Sequence, residues 1–163
     1  PTPTPWRWVD LGLPSGRLWL DRNVGANSPE DIGEYITWGE VTGWNEMPTV
    51  LPFLVDAATY YYGNKFRMPS AEECRELTEN TTVSIVDNCY RLTSIVNGES
   101  ILIPISGALG STGITLPDTM RVWSSTLVDQ THLYSLVGSG ESAAVQSNNF
   151  TVRAVPVRPV YNP

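Results

Sequence analysis

The sequence predicts an α+β fold with two short helices and a mainly antiparallel, irregular β-sheet. Helix signals lie in the first half of the chain and strand-like runs crowd the second half, unlike the strand–helix alternation of parallel sheets. The 13 prolines and 13 glycines predict many turns and no long helix. The 163 residues suit one domain, and the 41% of residues that are hydrophobic can form its core.

The clearest helix signal begins at Ser70. Ser70 is a predicted N-cap and Glu73 follows three residues later, so a capping box predicts a helix over 71–79. A second helix is predicted over 54–62, because Gly63 is a typical helix-ending residue. The chain therefore carries two helices ahead of its strand-rich half.

Short β-prone runs bounded by turn residues predict the strands. Asn97-Gly98 is a typical hairpin turn, and a second hairpin is predicted to turn about 138–140. Pro156 and Pro159 make the last strand an edge strand or a bulged one. The predicted strands are 6–9, 18–20, 90–95, 101–103, 122–125, 132–137, 143–146 and 152–160, with a further helix start at Ser28 and Pro29, a loop over 43–53 and a glycine-rich loop over 107–113.

Net charge argues against several classes of partner. The charge of −7 disfavours nucleic acid, whose binders present a basic face, and disfavours docking on an anionic membrane. No run of 18 apolar residues predicts a membrane span. Residues 1–5, Pro-Thr-Pro-Thr-Pro, are interpreted as an extended linker remnant. The alternative interpretation is that this stretch is an artefact of how the chain was trimmed. Residues 6–163 are predicted to be the domain.

The residue patterns give little support to catalysis or metal binding. His132 is the single histidine, and a serine relay would have to combine it with Ser124 or Ser125 and Asp129. No nucleophile elbow precedes it. Calcium needs about six to eight oxygen ligands, and no acidic cluster has suitable spacing. We therefore expect no enzyme activity, no metal and no cofactor.

The two cysteines, Cys74 and Cys89, leave two alternatives open. A disulfide between them would stabilise the fold by roughly 3 kcal/mol on the chain-entropy model. Alternatively, both are separate thiols, with Cys74 buried on a helix. The sequence does not give the separation of the two Cα atoms, which decides between the alternatives.

Seven stretches in order along the chain resemble one family. They are VDLGLPSG, NVGA, YITWGE, FRMPSAEE, IPISG, WSS and VRPV, at 9–16, 23–26, 35–40, 66–73, 103–107, 123–125 and 157–160. Together they resemble the major paralogous domain first described from Fibrobacter and abundant in surface proteins of gut Bacteroides-type bacteria. That family is similar to the wider C-type-lectin-like group. The resemblance implies a C-type-lectin-like binding domain over 6–163 and an extracellular location at the bacterial cell surface.

The resemblance also implies how such a domain would work. The segment 56–73 is similar to part of formylglycine-generating enzymes, but nothing after Cys89 supplies their reactive cysteine pair. Other members of the wider group are variable proteins of diversity-generating retroelements, whose C-terminal stretch, about 123–160 here, displays diversified side chains. The implied function is an adhesin-like module for an unknown protein or glycan ligand on a host or neighbouring cell. The alternative is a structural or assembly domain of a surface protein or pilus without a specific ligand.

The polar segment 126–151 is the candidate contact surface. Its first part is turn-like and has no packing pattern. Tyrosine supplies contact area at low entropy cost, and asparagine, serine and glycine supply adaptable hydrogen bonds. For any one residue, a solvated loop without a partner is the alternative. The candidate ligand-binding residues are Val128, Asp129, Gln130, His132, Tyr134, Glu141, Gln146, Asn148 and Asn149.

Tryptophan and arginine motifs have two interpretations each. The segments 38–40 and 123–125 could face a ligand, but a structural role is favoured because tryptophan buries a large area and pins irregular loops. Arg67, Arg153 and Arg158 could bind an anion through paired hydrogen bonds. The favoured alternative is that they hold loop carbonyls or a carboxylate of the neighbouring helix.

Overall fold

A computed structural model of the chain describes residues 5–36, 56–129, 131–149 and 153–163. Several predictions lie wholly or partly outside these residues. They are the first four residues of the linker remnant, the motif at 38–40, the loop over 43–53, the first two residues of the helix over 54–62, the candidate site residue Gln130, and the start of the last predicted strand at 152.

The described residues form an α+β arrangement in which the helices precede most of the strands and every strand pairing is antiparallel. This confirms the predicted class. The elements are β1 (Trp8–Asp10), β2 (Leu18–Leu20), α1 (Ala57–Tyr62), β3 (Phe66–Arg67), α2 (Ala71–Glu79), β4 (Thr81–Val86), β5 (Cys89–Ser94), β6 (Ser100–Pro104), β7 (Ala108–Gly110), β8 (Gly113–Thr115), β9 (Met120–Leu127), β10 (His132–Ser139), β11 (Ser142–Asn149) and β12 (Val160–Tyr161).

Helix α2 begins and ends where the sequence predicts. The Ser70 hydroxyl accepts from the Glu73 N–H at 3.2 Å, and the Glu73 carboxylate accepts from the Ser70 N–H at 2.9 Å. This reciprocal cap satisfies two N–H groups that the helix leaves unpaired. Helix α1 ends at Gly63, as predicted, with φ at +98°, a conformation that favours glycine. Asp56 caps its start by accepting from the Thr59 N–H.

The helix predicted to start at Ser28 is wrong, because residues 29–30 form a turn instead. The Asp31 carboxylate accepts from the N–H groups of Asn27 and Gly33, at 3.0 and 3.1 Å. Gly33 lies at φ +76°, and a Cβ there would approach the Val24 carbonyl oxygen to 2.4 Å. An aspartate that bonds to its own loop in this way favours a turn over a helix.

Three main sheets and one small hairpin organise the strands. Their orders are β1-β2-β12-β3, β11-β10-β9 and β4-β5-β6, with β7 paired to β8. The predicted β5–β6 hairpin is confirmed, but its connection spans residues 95–99 and is longer than a turn at Asn97-Gly98 alone; Gly98 within it has φ at +77°. The β10–β11 hairpin is also confirmed, although its turn lies at 140–141, slightly later than expected.

Two of the predicted segments differ from the structure. The glycine-rich loop over 107–113 instead contributes to the β7–β8 hairpin, where Ala108 pairs with Thr115. The last strand is reduced to β12 and to single bridges at Ala154 and Val155. Pro156 and Pro159 lack the N–H that a continuous strand would need, so they interrupt the pairing.

Two buried clusters form the core and hold the β9–β10–β11 sheet in place. One contains Trp19, Leu77 and Leu136, and the other contains Trp123 and Leu133. Helix α2 packs against all three strands of that sheet. The sheet is therefore anchored from both faces. In the part of the chain that the structure describes, neither helix is long and apolar enough to cross a membrane.

Candidate functional site

The β10–β11 hairpin carries most of the predicted site residues. His132 pairs with Asn149 at the open end of the hairpin, and Tyr134 pairs with Ser147. Because successive side chains in a strand point to opposite faces, these four lie on the face that α2 covers. Gln146 and Asn148 lie on the other face.

The connection between β9 and β10 is tied by one carboxylate. Asp129 Oδ1 accepts from the N–H groups of Thr131 and His132, at 2.9 and 2.8 Å, and lies 3.2 Å from His132 Nδ1. The backbone hydrogen bond from Thr131 is the largest cause that lowers the pKa of Asp129, and His132 adds to it. The Val128 N–H also donates to the His132 carbonyl. The described residues of this turn are thus joined to one another by hydrogen bonds.

Helix α2 supplies a side chain that the sequence analysis missed. The Arg75 guanidinium lies over the Tyr134 ring, 5.0 Å from its centroid, within the range of a cation–π contact. The Thr126 hydroxyl accepts from the Ala71 N–H at 2.9 Å, so the start of α2 is fixed to the end of β9. The one signal available in the sequence is the place of Arg75 on a polar helix face, and such faces are usually only solvated.

Five of the predicted site residues lie together at the open end of the hairpin, and we call them the rim surface. They are Val128, Asp129, His132, Tyr134 and Asn149. Val128 and Asp129 are exposed, and the other three are partly exposed.

The other candidates that the structure describes lie elsewhere. Glu141 is at the opposite end of the hairpin, where it lines a cavity of about 420 Å³ with Val83 and Ile85. Gln146 is exposed on the face away from α2, and Asn148 on the same face is only 8% exposed.

Asn148 belongs to a buried polar cluster with two arginines. Its Oδ1 accepts from Arg121 Nη1 at 2.7 Å and from Arg153 Nη1 at 3.1 Å, while its Nδ2 donates to the Ser135 hydroxyl at 2.6 Å. Burial lowers the pKa of Arg121, and the charge of Arg153 lowers it further. Sequence reasoning missed Arg121 because it lies among the apolar residues that begin β9, Met120, Val122 and Trp123.

Two of the three arginines considered from the sequence have structural roles, as favoured. Arg67 forms a double hydrogen bond with the Glu73 carboxylate, at 2.8 and 2.7 Å. Arg158 is fully buried and donates to Asn23 Oδ1 and to the carbonyls of Leu20 and Leu102.

Trp123 and the cysteines are also buried. Trp123 is fully buried and its Nε1 donates to the Ile36 carbonyl at 2.7 Å, so the structural interpretation of the motif at 123–125 holds for its tryptophan. Cys74 in α2 and Cys89 in β5 are both free thiols. Burial raises the pKa of both thiols, which disfavours the reactive thiolate.

The acid–base groups at the rim surface stay within their own turn. His132 Nδ1 contacts Asp129 and the Thr131 hydroxyl, and the Ser124 hydroxyl donates to the Tyr134 carbonyl. In the described ranges, no group of three or more histidine, cysteine, aspartate or glutamate side chains could hold a metal ion.

Comparison with known proteins leaves the family undetermined. The chain matches no family model, no curated protein and no solved structure.

Proposed function

We propose that the chain is an extracellular ligand-binding domain with a C-type-lectin-like fold, which uses the rim surface to hold a protein or glycan ligand. The resemblance of the sequence to a family of bacterial surface domains supports the location and the fold. The ligand would lie outside the cell, on a host or a neighbouring cell. The contact requires neither a metal nor insertion into a membrane.

The observation that carries the proposal is an exposed polar turn on a rigid base. Asp129 fixes the turn through backbone hydrogen bonds, and Leu133, the residue after His132, is fully buried. A surface that is already ordered loses little conformational entropy on binding. Tyr134, flanked by Arg75, adds a flat amphipathic contact of the kind found in paratopes.

The test is a screen of glycan and host-protein arrays with matched variants. We expect the wild type to bind one ligand class and the double variant Asp129→Ala/His132→Ala to lose at least about tenfold in affinity, equivalent to about 1.4 kcal/mol. Glu141→Ala is the control, because Glu141 is exposed and lies at the other end of a hairpin whose two strands have eight residues each, roughly 25 Å away. Equal binding by the wild type and the double variant would overturn the proposal.

A second candidate, an assembly domain, is favoured by one specific observation. Among the described residues, β11 pairs only with β10 and is the last strand of its sheet. Its sequence, SAAVQSNN, contains no charged residue and no proline. Charged residues and prolines on edge strands usually prevent pairing with other chains, and β11 lacks both. No ligand on the arrays, together with concentration-dependent self-association in light scattering that Ala144→Lys abolishes at an exposed position of β11, would favour this function.

A further inference from the structure

Two arginine side chains converge beside β11 without an opposite charge among the residues that the structure describes. Arg121 in β9 and Arg153 after β11 both donate to Asn148 Oδ1, at 2.7 and 3.1 Å. The ion pairs found in the described ranges involve other residues. The local arrangement is therefore doubly positive in a chain whose net charge is −7.

The surroundings of this arginine pair do not balance its positive charge. Arg121 is only 7% exposed, and a buried guanidinium normally contacts a carboxylate or several carbonyls. Arg158 and Arg67 in this same protein satisfy that rule. Arg121 has instead one hydroxyl, that of Thr119 at 3.0 Å, and an amide oxygen shared with a second arginine. A neutral amide does not balance two positive charges.

Several donor groups of the pair remain available. Arg121 uses Nε and Nη1 in hydrogen bonds, and Arg153 uses Nη1. Arg121 Nη2 and the other nitrogens of Arg153 have no hydrogen bond to the described part of the chain, and they are not among the fully occluded unpaired atoms. Arg153 is partly exposed, whereas Arg121 is 7% exposed. The free donors of Arg153 are therefore the ones more open to solvent.

We propose that Arg121 and Arg153 form a binding site for a carboxylate group. Because Asn148 lies on the hairpin face opposite the rim surface, this site is separate from the rim surface and goes beyond the proposed function. A carboxylate accepts paired, charge-assisted hydrogen bonds from guanidinium groups, and its charge reduces the repulsion between the two arginines. Asn148 and Ser135 position the pair, because the Asn148 amide bridges Arg121 and the Ser135 hydroxyl. The carboxylate belongs to an acidic sugar or to an acidic amino-acid side chain.

The test is binding of small acids to the whole chain, each with a neutral counterpart of similar shape. The probes are glucuronate with glucose, and N-acetylglutamate α-amide, which carries one side-chain carboxylate, with N-acetylglutamine α-amide, which carries none. Titrations followed by ¹H–¹⁵N spectra would report the Asn148 side-chain amide and the arginine Nε–H signals directly. We expect at least one acid to shift these signals and its neutral counterpart to leave them unchanged. Binding of glucuronate alone would indicate a sugar source, and binding of N-acetylglutamate α-amide alone would indicate an acidic side chain.

Arg153→Gln is the decisive variant, because Arg153 is partly exposed and its replacement leaves the buried Arg121 in place. We expect the affinity for the acid to fall at least about tenfold, with the exposed Arg7→Gln as control. No preference for an acid over its neutral counterpart, or unchanged affinity in Arg153→Gln, would overturn the site. If the array binding at the rim surface persisted in that case, only the carboxylate inference would fail. Acid binding in the absence of any array ligand would instead support the carboxylate site and overturn the proposed role of the rim surface.

Discussion

At the scale of single residues, Arg158 shows how this fold uses a charged side chain as a structural part. It is fully buried and donates 2.8 Å to Asn23 Oδ1 and 2.6 Å to the Leu102 carbonyl. Burial lowers its pKa, although Asp21 opposes that effect. The side chain joins β6 to the segment that follows β2, which no apolar residue could do through hydrogen bonds.

Arg158→Met is expected to lower the free energy of unfolding by about 3 kcal/mol or more, because several buried acceptors would lose a charged donor. Arg158→Lys should recover little of this free energy of unfolding, because an ammonium group cannot reproduce the planar arrangement of donors in the guanidinium group. Urea unfolding measures both values, with the exposed Arg7→Met as control. A loss below about 1 kcal/mol in Arg158→Met would contradict this role.

At the scale of elements, the β10–β11 hairpin depends on a close approach to β5. Gly138 lies in β10 against the Tyr90 ring, and a Cβ at Gly138 would come within 2.8 Å of that ring. The Tyr90 hydroxyl also donates to the Gly140 carbonyl at 2.7 Å. The glycine therefore serves packing between sheets, although the sequence pattern placed it in the turn.

Gly138→Ala is expected to lower the unfolding free energy by about 1–3 kcal/mol through overpacking. Because the clash is with Tyr90, the loss in a Tyr90→Leu background should be smaller, and a double-mutant cycle would measure the coupling. Ser139→Ala, at the next and exposed position, is the control. Strict additivity of the two substitutions would show that the Tyr90 ring does not limit the space at Gly138.

Helix α2 is joined to β3 and to the segment before β2 by a single carboxylate. Burial raises the pKa of Glu73, but the hydrogen bonds from Arg67 and the Ser70 N–H outweigh it, and Arg67 and Arg17 favour the ionised form, so the pKa is lowered overall. Arg17 Nε lies 2.7 Å from Glu73 Oε2. A carboxylate with a lowered pKa stabilises the folded state above its ordinary pKa.

This stabilisation should be lost as the pH falls below the ordinary glutamate pKa of about 4.3 and through the lower folded-state pKa. The wild type should then show a steeper loss of unfolding free energy with falling pH than Glu73→Gln. At pH 7 the variant should be the less stable protein. Urea unfolding across the acid range tests this, with the exposed Glu72→Gln as control. Parallel curves for the wild type and Glu73→Gln would refute it.

At the scale of the whole molecule, the two cysteines report on global unfolding. Both thiols are buried, one in α2 and one in β5, and burial raises the pKa of each. We expect slow reaction with a thiol reagent in native protein and release of two equivalents after denaturation. Cys74→Ala should then release one. Absence of free thiol in denatured, unreduced protein would demonstrate the disulfide alternative.

The sequence predicted best those features that depend on contacts within a few residues. Local patterns therefore predicted helix α2 and the hairpin that contains Asn97 and Gly98. The helix expected at Ser28 failed because Asp31 bonds to its own loop. The candidate site was predicted as one polar segment, but strand alternation and the length of the hairpin separate Gln146, Asn148 and Glu141 from the rim surface.

The sequence by itself determined the class, the Ser70 cap, the helix end at Gly63 and the polar character of the late segment, because these depend on residue type and short spacing. The tertiary structure alone decided that Arg75 reaches Tyr134, that Gly138 must admit the Tyr90 ring, and that Arg121 and Arg153 meet at Asn148. These contacts join residues that are distant in sequence. Their geometry follows from how the sheets and α2 pack, which no local pattern encodes.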